Sequence, residues 1–353
     1  MELVGDELPA ATAPGRGASP HGPMSRILLL TDPRMERHDA RGHPERPARL
    51  PAVVAGVTDA ADRTGAALEQ RAPEPADDVA IERVHPTAYL SFVQDAAASG
   101  GAWPDPDTYI GPGSDEAARL AAGATIEAAL SVAAGAAEVA FAVVRPPGHH
   151  ASPSRASGFC LLNNIALAVA ALRAGGAAHR IAIVDFDVHH GDGTQAIFDA
   201  DPDLCYASTH QYPFYPGSGA ASETGVGDAA GTKHNVPLAA GSGDEPFLAA
   251  WQDELLPAIE AFAPEAILVS AGFDAHVADP LAMLRVTDEA YRALAESLGA
   301  LVTRLGLPGA ALTLEGGYDL DALRSASAAF VEGLVLGIGA AADYTRVDQG
   351  EPA

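Results

Sequence analysis

Beyond residue 24 the chain alternates between short, almost wholly apolar runs and longer stretches in which apolar residues return with helical spacing. The runs cover 27–30, 139–144, 181–184, 204–208, 267–270 and 310–314. Runs of this length, rich in Val, Ile, Leu and Ala, predict strands buried on both faces. The helical stretches lie between them. One follows Pro47, whose fixed φ suits a first helical turn, and holds Pro51 within its first turns. Another is predicted from about 77, interrupted near Pro86 and resuming from 87. A third covers 116–132, capped by Ser114 and Asp115. Further helices are predicted over 163–173, 245–262 and 288–305. Segments 71–77 and 101–113, rich in proline or glycine, read as connections. The repeating order of strand, polar loop and helix predicts a mostly parallel sheet with helices on both faces, a three-layer α/β/α fold. No internal repeat or linker divides 24–340, so one domain is expected there, followed by a tail at 341–353. Residues 1–23, rich in Ala, Gly and Pro, are expected to be disordered, with Met24 a natural start.

The 353 residues are 48% hydrophobic, enough for one large core. Two cysteines, Cys160 and Cys205, are too few for a disulfide framework or a cysteine zinc cluster, and fit reduced thiols in a cytoplasmic protein. The run at 27–30 is too short for a secretory h-region, and no uninterrupted apolar stretch would span a bilayer, so no membrane partner is expected. The formal net charge of -26, with Lys233 the only lysine, speaks against direct nucleic-acid binding, which needs a basic face. An acidic surface can steer cations toward a cleft. The same surface also follows from a salt-adapted or GC-rich genome. The oligomeric state stays open, a homo-oligomer included.

Chemistry concentrates where the predicted strands end. The run at 181–184 breaks into Asp185, Asp187, His189, His190 and Asp192, with Gly191 and Gly193 interleaved. This is the carboxyl end of a strand, where α/β sheets place their ligands. Alternation puts Asp185, Asp187 and His189 on one side. A carboxylate oxygen and an imidazole nitrogen two residues apart reach a single divalent metal, and such donors suit zinc and, nearly as well, iron. The strand at 267–270 leads to Asp274, which supplies a third ligand. Three protein ligands with an open position form the catalytic pattern rather than the structural one. The strand at 139–144 ends in Pro146-Pro147-Gly148-His149-His150, and neutral imidazoles there can move protons near pH 7. The last strand ends in Glu315-Gly316-Gly317-Tyr318, whose paired glycines let the backbone approach and leave a tyrosine hydroxyl facing the site.

Together RPPGHH, GFCLLNN (158–164), DFDVHHGDGTQ (185–195), SAGFDAHVADPL and EGGYD resemble the zinc-dependent histone deacetylases and their bacterial relatives, including the acetylpolyamine amidohydrolases. HPERPARL (43–50) and GFDAH lean toward the class II-like bacterial branch. The resemblance covers nearly everything from Ile27 to about Gly339 and implies the arginase/deacetylase-like fold. It implies Asp187, His189 and Asp274 as zinc ligands, and His149 and His150 as general base and general acid. Asp185 is then the partner of His149, and Asp192 that of His150. Tyr318 is implied to polarise the amide carbonyl, and some class II relatives have histidine there. Phe159, with either Phe214 or Tyr215, is implied to wall a substrate tunnel. Gly158, Gly316, Leu281 and Asp107 complete the implied substrate contacts. An inner structural potassium site is implied at Asp185, Asp187, His189, Ser208 and Thr209, and a second, built mainly of carbonyls, near Phe198 and Leu204. Arginase-like hydrolases with two manganese ions carry aspartates where this chain has Gly191 and His276, so a single catalytic metal is expected.

The activity implied is removal of acetyl or other acyl groups from acyl-lysine in a peptide or protein, or from a related acylated amine, releasing acetate. An acetylpolyamine or small-metabolite amidohydrolase is the alternative. A non-catalytic module that keeps the pocket to bind acylated ligands is a further one, which loss of a ligand or of Tyr318 would favour, and neither is lost. The rim favours acyl-lysine: the loop at 32–47 is short, and its Arg34, Arg37 and Arg41 would repel a polycation. On the opposing loop Asp105 and Asp107 could accept a peptide N–H or attract a cation.

Overall fold

The structure, a computed structural model, describes residues 25–348, with side chains through residue 340. The expected disordered extension 1–23 and the start at Met24 lie outside the described residues. In chain order the elements begin β1 (Arg26–Leu30), α1 (Arg49–Thr64), β2 (Ala67–Arg71), α2 (Asp78–Ile81), α3 (Thr87–Ala98), α4 (Ser114–Ala133) and β3 (Val139–Ala142). They continue with α5 (Asn164–Ala174), β4 (Ile181–Asp185), α6 (Asp192–Phe198), β5 (Leu204–Gln211), β6 (Lys233–Leu238), α7 (Asp244–Ala249) and α8 (Leu256–Phe262). The last are β7 (Ala266–Ala271), α9 (Asp288–Arg304), β8 (Ala310–Leu314) and α10 (Leu320–Asp348).

All eight strands run parallel in one sheet of order β2-β1-β3-β8-β7-β4-β5-β6. Helices α1, α9 and α10 pack together in one layer, and α4 and α5 in another, which completes the three-layer α/β/α domain. The central strands β3, β4, β7 and β8 are buried almost throughout. Their order, β3-β8-β7-β4, sets side by side the four carboxyl ends that carry the candidate chemistry.

Two strands carry no apolar signal because both lie at sheet edges. β2 reads ALEQR and is mostly exposed, and β6 reads KHNVPL with Pro237, which an edge tolerates because it need not donate there. Pro47 falls outside α1, which starts at Arg49 and takes Pro51 into its first turn. Ser114 does not cap α4. Gly113 holds the cap in the left-handed region at φ +89°, and the buried Ser114 hydroxyl instead bonds His38 Nδ1 at 2.7 Å and the Gly111 N–H at 2.8 Å. The helix expected over 245–262 forms with a π-helical segment, Ala250–Leu255, between α7 and α8, which buries Trp251. Within α10, Leu320–Ala340 is long and apolar enough to cross a membrane by length and composition, but 67% of that window is buried, against α1 and α9. The helix runs to Asp348, so the expected boundary at 340 falls inside it.

Candidate active site

Strand β4 stops at Asp185, and Asp187 and His189 lie on the loop beyond it. Loop hydrogen bonds, rather than strand alternation, bring them together with Asp274. One donor atom from each of Asp187, His189 and Asp274 lies within 4.8 Å of the others, all buried. Asp187 accepts from the His189 N–H at 2.9 Å and the Gly316 N–H at 2.7 Å. Asp274 Oδ1 accepts from the Val188 N–H at 2.9 Å. Any side chain at Gly272 would run into the Asp187 carboxylate, and one at Gly316 into both carboxylates. Burial and the charge of Asp187 push Asp274 up to about 7. His189 is driven up to about 10 against the effect of burial, by its bonds to Asp187 and Asp274. Two carboxylates and one imidazole, buried together, are a donor set whose charge a divalent cation balances.

The turn that presents the histidine pair is tied to the end of β8. Glu315 Oε2 accepts from the Gly148 N–H at 2.7 Å and the His149 N–H at 3.1 Å, and Oε1 accepts from the Ser270 hydroxyl at 3.0 Å. His149 Nδ1 lies 3.1 Å from Asp185 Oδ2, and His150 Nδ1 lies 2.8 Å from Asp192 Oδ1. The two ring centroids are 4.1 Å apart. Burial alone would lower His149, but the charges of Asp187 and Asp185 raise it well above the usual histidine value. Burial and the charge of His149 lower His150 to about 4 despite Asp192.

Both histidines face a cavity of about 230 Å³ that also reaches His189, Gly316 and Tyr318. Phe159, Tyr215, Leu281, Gly158 and Asp107 complete much of its wall. Of the two aromatic candidates Tyr215 lines the cavity; Phe214 does not, and its ring stacks on His189 at 5.5 Å. Phe159 adopts φ +69°, a conformation a non-glycine residue rarely holds, and donates its N–H to Thr108 Oγ1 at 3.1 Å. The backbone at Gly158 passes so close to the His150 ring that a Cβ would collide with it. Tyr318 is buried, with its N–H donated to Asp279 Oδ2 at 2.6 Å and the Arg49 guanidinium 5.1 Å from its ring centroid.

The rim departs from expectation. Arg34 pairs with Asp32 and Glu116, and Arg37 with Glu116, and neither lines the cavity. Their charges are spent locally, so they supply no argument against a polycation. Asp105 turns into its own loop, accepting from the Asp107 and Thr108 N–H groups, and Asp107 is the carboxylate at the cavity.

Around the implied inner potassium donors, Ser208 Oγ bonds His210 Nδ1 at 2.9 Å and Thr209 Oγ1 accepts from Trp251 Nε1 at 3.1 Å. Near Phe198 the carbonyls are used by the protein itself. The buried Lys233 ammonium donates to Asp201 O at 3.1 Å, Leu204 O at 2.8 Å and Thr232 Oγ1 at 2.6 Å. An ammonium held by neutral oxygens there takes the place expected for a second potassium.

Sequence reasoning assigned no role to Glu45, Arg49 or Arg145. Glu45 accepts from Arg145 and Arg49, and Arg49 in turn donates to Gly317 O at 2.6 Å and to Glu315 O. Glu45 and Arg49 stand within HPERPARL, where their spacing of four was the available clue. Their function is visible only once β8 lies beside β3.

A histone deacetylase domain model matches residues 43–334. The chain is 40% identical over 286 residues to the histone deacetylase-like amidohydrolase of Pseudomonas aeruginosa, covering 79% of this chain and 73% of that one. It is 39% identical over 316 residues to a probable deacetylase of Methanothermobacter thermautotrophicus, covering 87% and 90%. Among solved structures, the HD domain of HDA15 superposes with a TM-score of 0.82 at 35% identity, covering 92% of this chain and 94% of that one. An acetylpolyamine aminohydrolase from Burkholderia pseudomallei superposes with a TM-score of 0.78 at 32% identity, covering 87% and 98%. With the five motifs, the all-parallel sheet and these matches in agreement, the chain belongs to the histone deacetylase family.

Proposed function

We propose that the chain is a metal-dependent deacetylase that hydrolyses the side-chain amide of acyl-lysine. The observation that carries this reading is the convergence on one cavity of His189 from a three-ligand cluster, two carboxylate-paired histidines and a tyrosine. Asp187, His189 and Asp274 would hold the metal, zinc or iron. When bound, it would supply Lewis-acid polarisation of the acyl oxygen and a water of lowered pKa. Each histidine has Nδ1 turned to its carboxylate, which leaves Nε2 for the reacting groups. One histidine accepts a proton from the attacking water and the other protonates the leaving amine. The Tyr318 hydroxyl donates to the oxygen on which negative charge develops, at a position preset by Asp279 and Arg49. The products are acetate and a free amine. Potassium at the inner donor set would stiffen the loop that carries Asp187 and His189.

The apolar wall of Phe159, Tyr215 and Leu281 fits the thin methylene chain of lysine, and Asp107 is placed to accept a peptide N–H. Acetylated polyamine is the competing substrate, favoured by the same Asp107 carboxylate and the charge of -26. The test is a panel of acyl-lysine peptides and acetylated polyamines, with metal content measured on the same preparation. The expected result is a higher kcat/KM for the peptides with about one divalent metal per chain. Acetylpolyamine turnover at least roughly tenfold above the best peptide, about 1.4 kcal/mol in the barrier, would reverse the substrate assignment.

A further inference from the structure

The family resemblance implies Asp185 as the partner of His149 and assigns nothing to Tyr206. Tyr206 sits on β5, fully buried, in register with Ile183 of the neighbouring β4. Residues two apart on a strand share a face, so Tyr206 lies on the same face as Asp185 and its long side chain reaches that level. Its hydroxyl lies 3.0 Å from Asp185 Oδ2, the oxygen that also faces His149 Nδ1 at 3.1 Å. The hydroxyl oxygen accepts from the Gly191 N–H at 3.1 Å. With that lone pair used, the single O–H hydrogen goes to Asp185. The other carboxylate oxygen, Oδ1, accepts from the Asp187 N–H at 3.2 Å.

The junction has no slack. A Cβ on Gly191 would stand 2.5 Å from Asp185 Oδ2, 2.7 Å from the Tyr206 hydroxyl and 3.1 Å from His149 Nδ1. A buried tyrosine needs some partner, but here the partner is the one carboxylate oxygen that orients a histidine of the cavity. Without the hydroxyl, Asp185 Oδ2 loses the donor that fixes it beside His149, and the His149 ring loses a fixed acceptor.

We infer that Tyr206 is a positioning residue for hydrolysis, pinning the Asp185 carboxylate so that His149 holds its orientation toward the substrate. The inference rests on the deacetylase reading. Tyr206→Phe should lower kcat by about tenfold, part of the 10²–10⁴ that a positioned acid–base group supplies, with KM and metal content within about twofold of wild type. In an Asp185→Asn background the same change should cost less than about twofold, because residues acting in one chain of contacts are not additive. Unchanged kcat in Tyr206→Phe, or its full cost on top of Asp185→Asn, overturns the inference. If the phenylalanine protein does not fold, 4-aminophenylalanine and 4-fluorophenylalanine at 206 give a donor and a non-donor of similar shape. The amino form should then turn over about tenfold faster than the fluoro form, and equal rates overturn the inference. Acetate release by wild type with no effect of these variants removes only the role of Tyr206. A wild type that releases no acetate from any acylated amine overturns both.

Discussion

Replacing Glu45 by glutamine tests the support beneath Tyr318. Glu45, Arg145 and Arg49 are 1%, 0% and 0% exposed, so water cannot take over any lost charge. Glu45 accepts from Arg145 at 2.9 and 2.7 Å and from Arg49 at 3.1 Å. Glutamine keeps one acceptor, turns an N–H₂ toward a guanidinium and leaves two buried cations sharing no anion. Breaking one buried pair costs about 3–5 kcal/mol, and with two cations on one carboxylate the upper half, about 4 kcal/mol, applies. With a urea m-value of roughly 3 kcal/mol/M or somewhat more, the midpoint should fall by about 1 M. Arg49 would also loosen its hold on Gly317 O, and misplacement of Tyr318 by about 1 Å should lower kcat on the order of 10²-fold. Burial pushes the Glu45 carboxyl up, but Arg145 and Arg49 outweigh it and hold it at about 2. A lowered carboxylate stabilises the fold above its unfolded value near 4.3, and that contribution is lost as pH falls toward about 2. The variant should lack this acid-dependent loss. Urea unfolding and steady-state kinetics on the metal-loaded protein measure both effects. A midpoint shift below about 0.3 M at unchanged m would refute the reasoning.

Tyr318→Phe should lower kcat by about 10²–10³ with little change in KM, the usual contribution of one oxyanion donor; a variant within a few-fold of wild type would remove the tyrosine from the chemistry. Asp274→Asn should abolish turnover and strip the metal, read by metal analysis after dialysis; full occupancy with normal rate would sink the ligand assignment. Burial lowers His38, His85 and His210 to about 4 each. The unfolded chain therefore binds more protons between about pH 6.5 and 4, and stability should fall on acidification through that window by up to about 1.4 kcal/mol per pH unit for each histidine. For His85 the cause is visible, since its Nε2 accepts the Asn163 N–H at 2.9 Å and its Nδ1 faces Pro153 O, so only the neutral ring fits. A His85→Gln variant whose urea midpoint keeps the same pH dependence as wild type from pH 7 to 4.5 would contradict this.

The sequence by itself determined the fold class and singled out the candidate site residues. Strands buried on both faces must be apolar throughout, so β3, β4, β7 and β8 announce themselves, and the first polar residue after each marks its carboxyl end. Hence Asp187, His189, Asp274, His149, His150 and Tyr318 could be named from local pattern and motif, and all six come together in the structure. What local pattern lacks is strand order. β3 and β8 are neighbours although about 170 residues separate them, and that adjacency lets Glu315 hold the His149 turn, while α1 packed beside α10 brings Arg49 to Gly317. Edge strands β2 and β6 were silent because an edge need not be apolar. The expected role of Arg34 and Arg37 as rim charges failed for a related reason. A charge acts through whatever folds against it, and here Asp32 and Glu116 do. Tyr206 looks like any apolar-run aromatic until β5 is laid beside β4 in register. Residue type fixes what a side chain can do, and through-space packing of distant segments decides which partner it does it to.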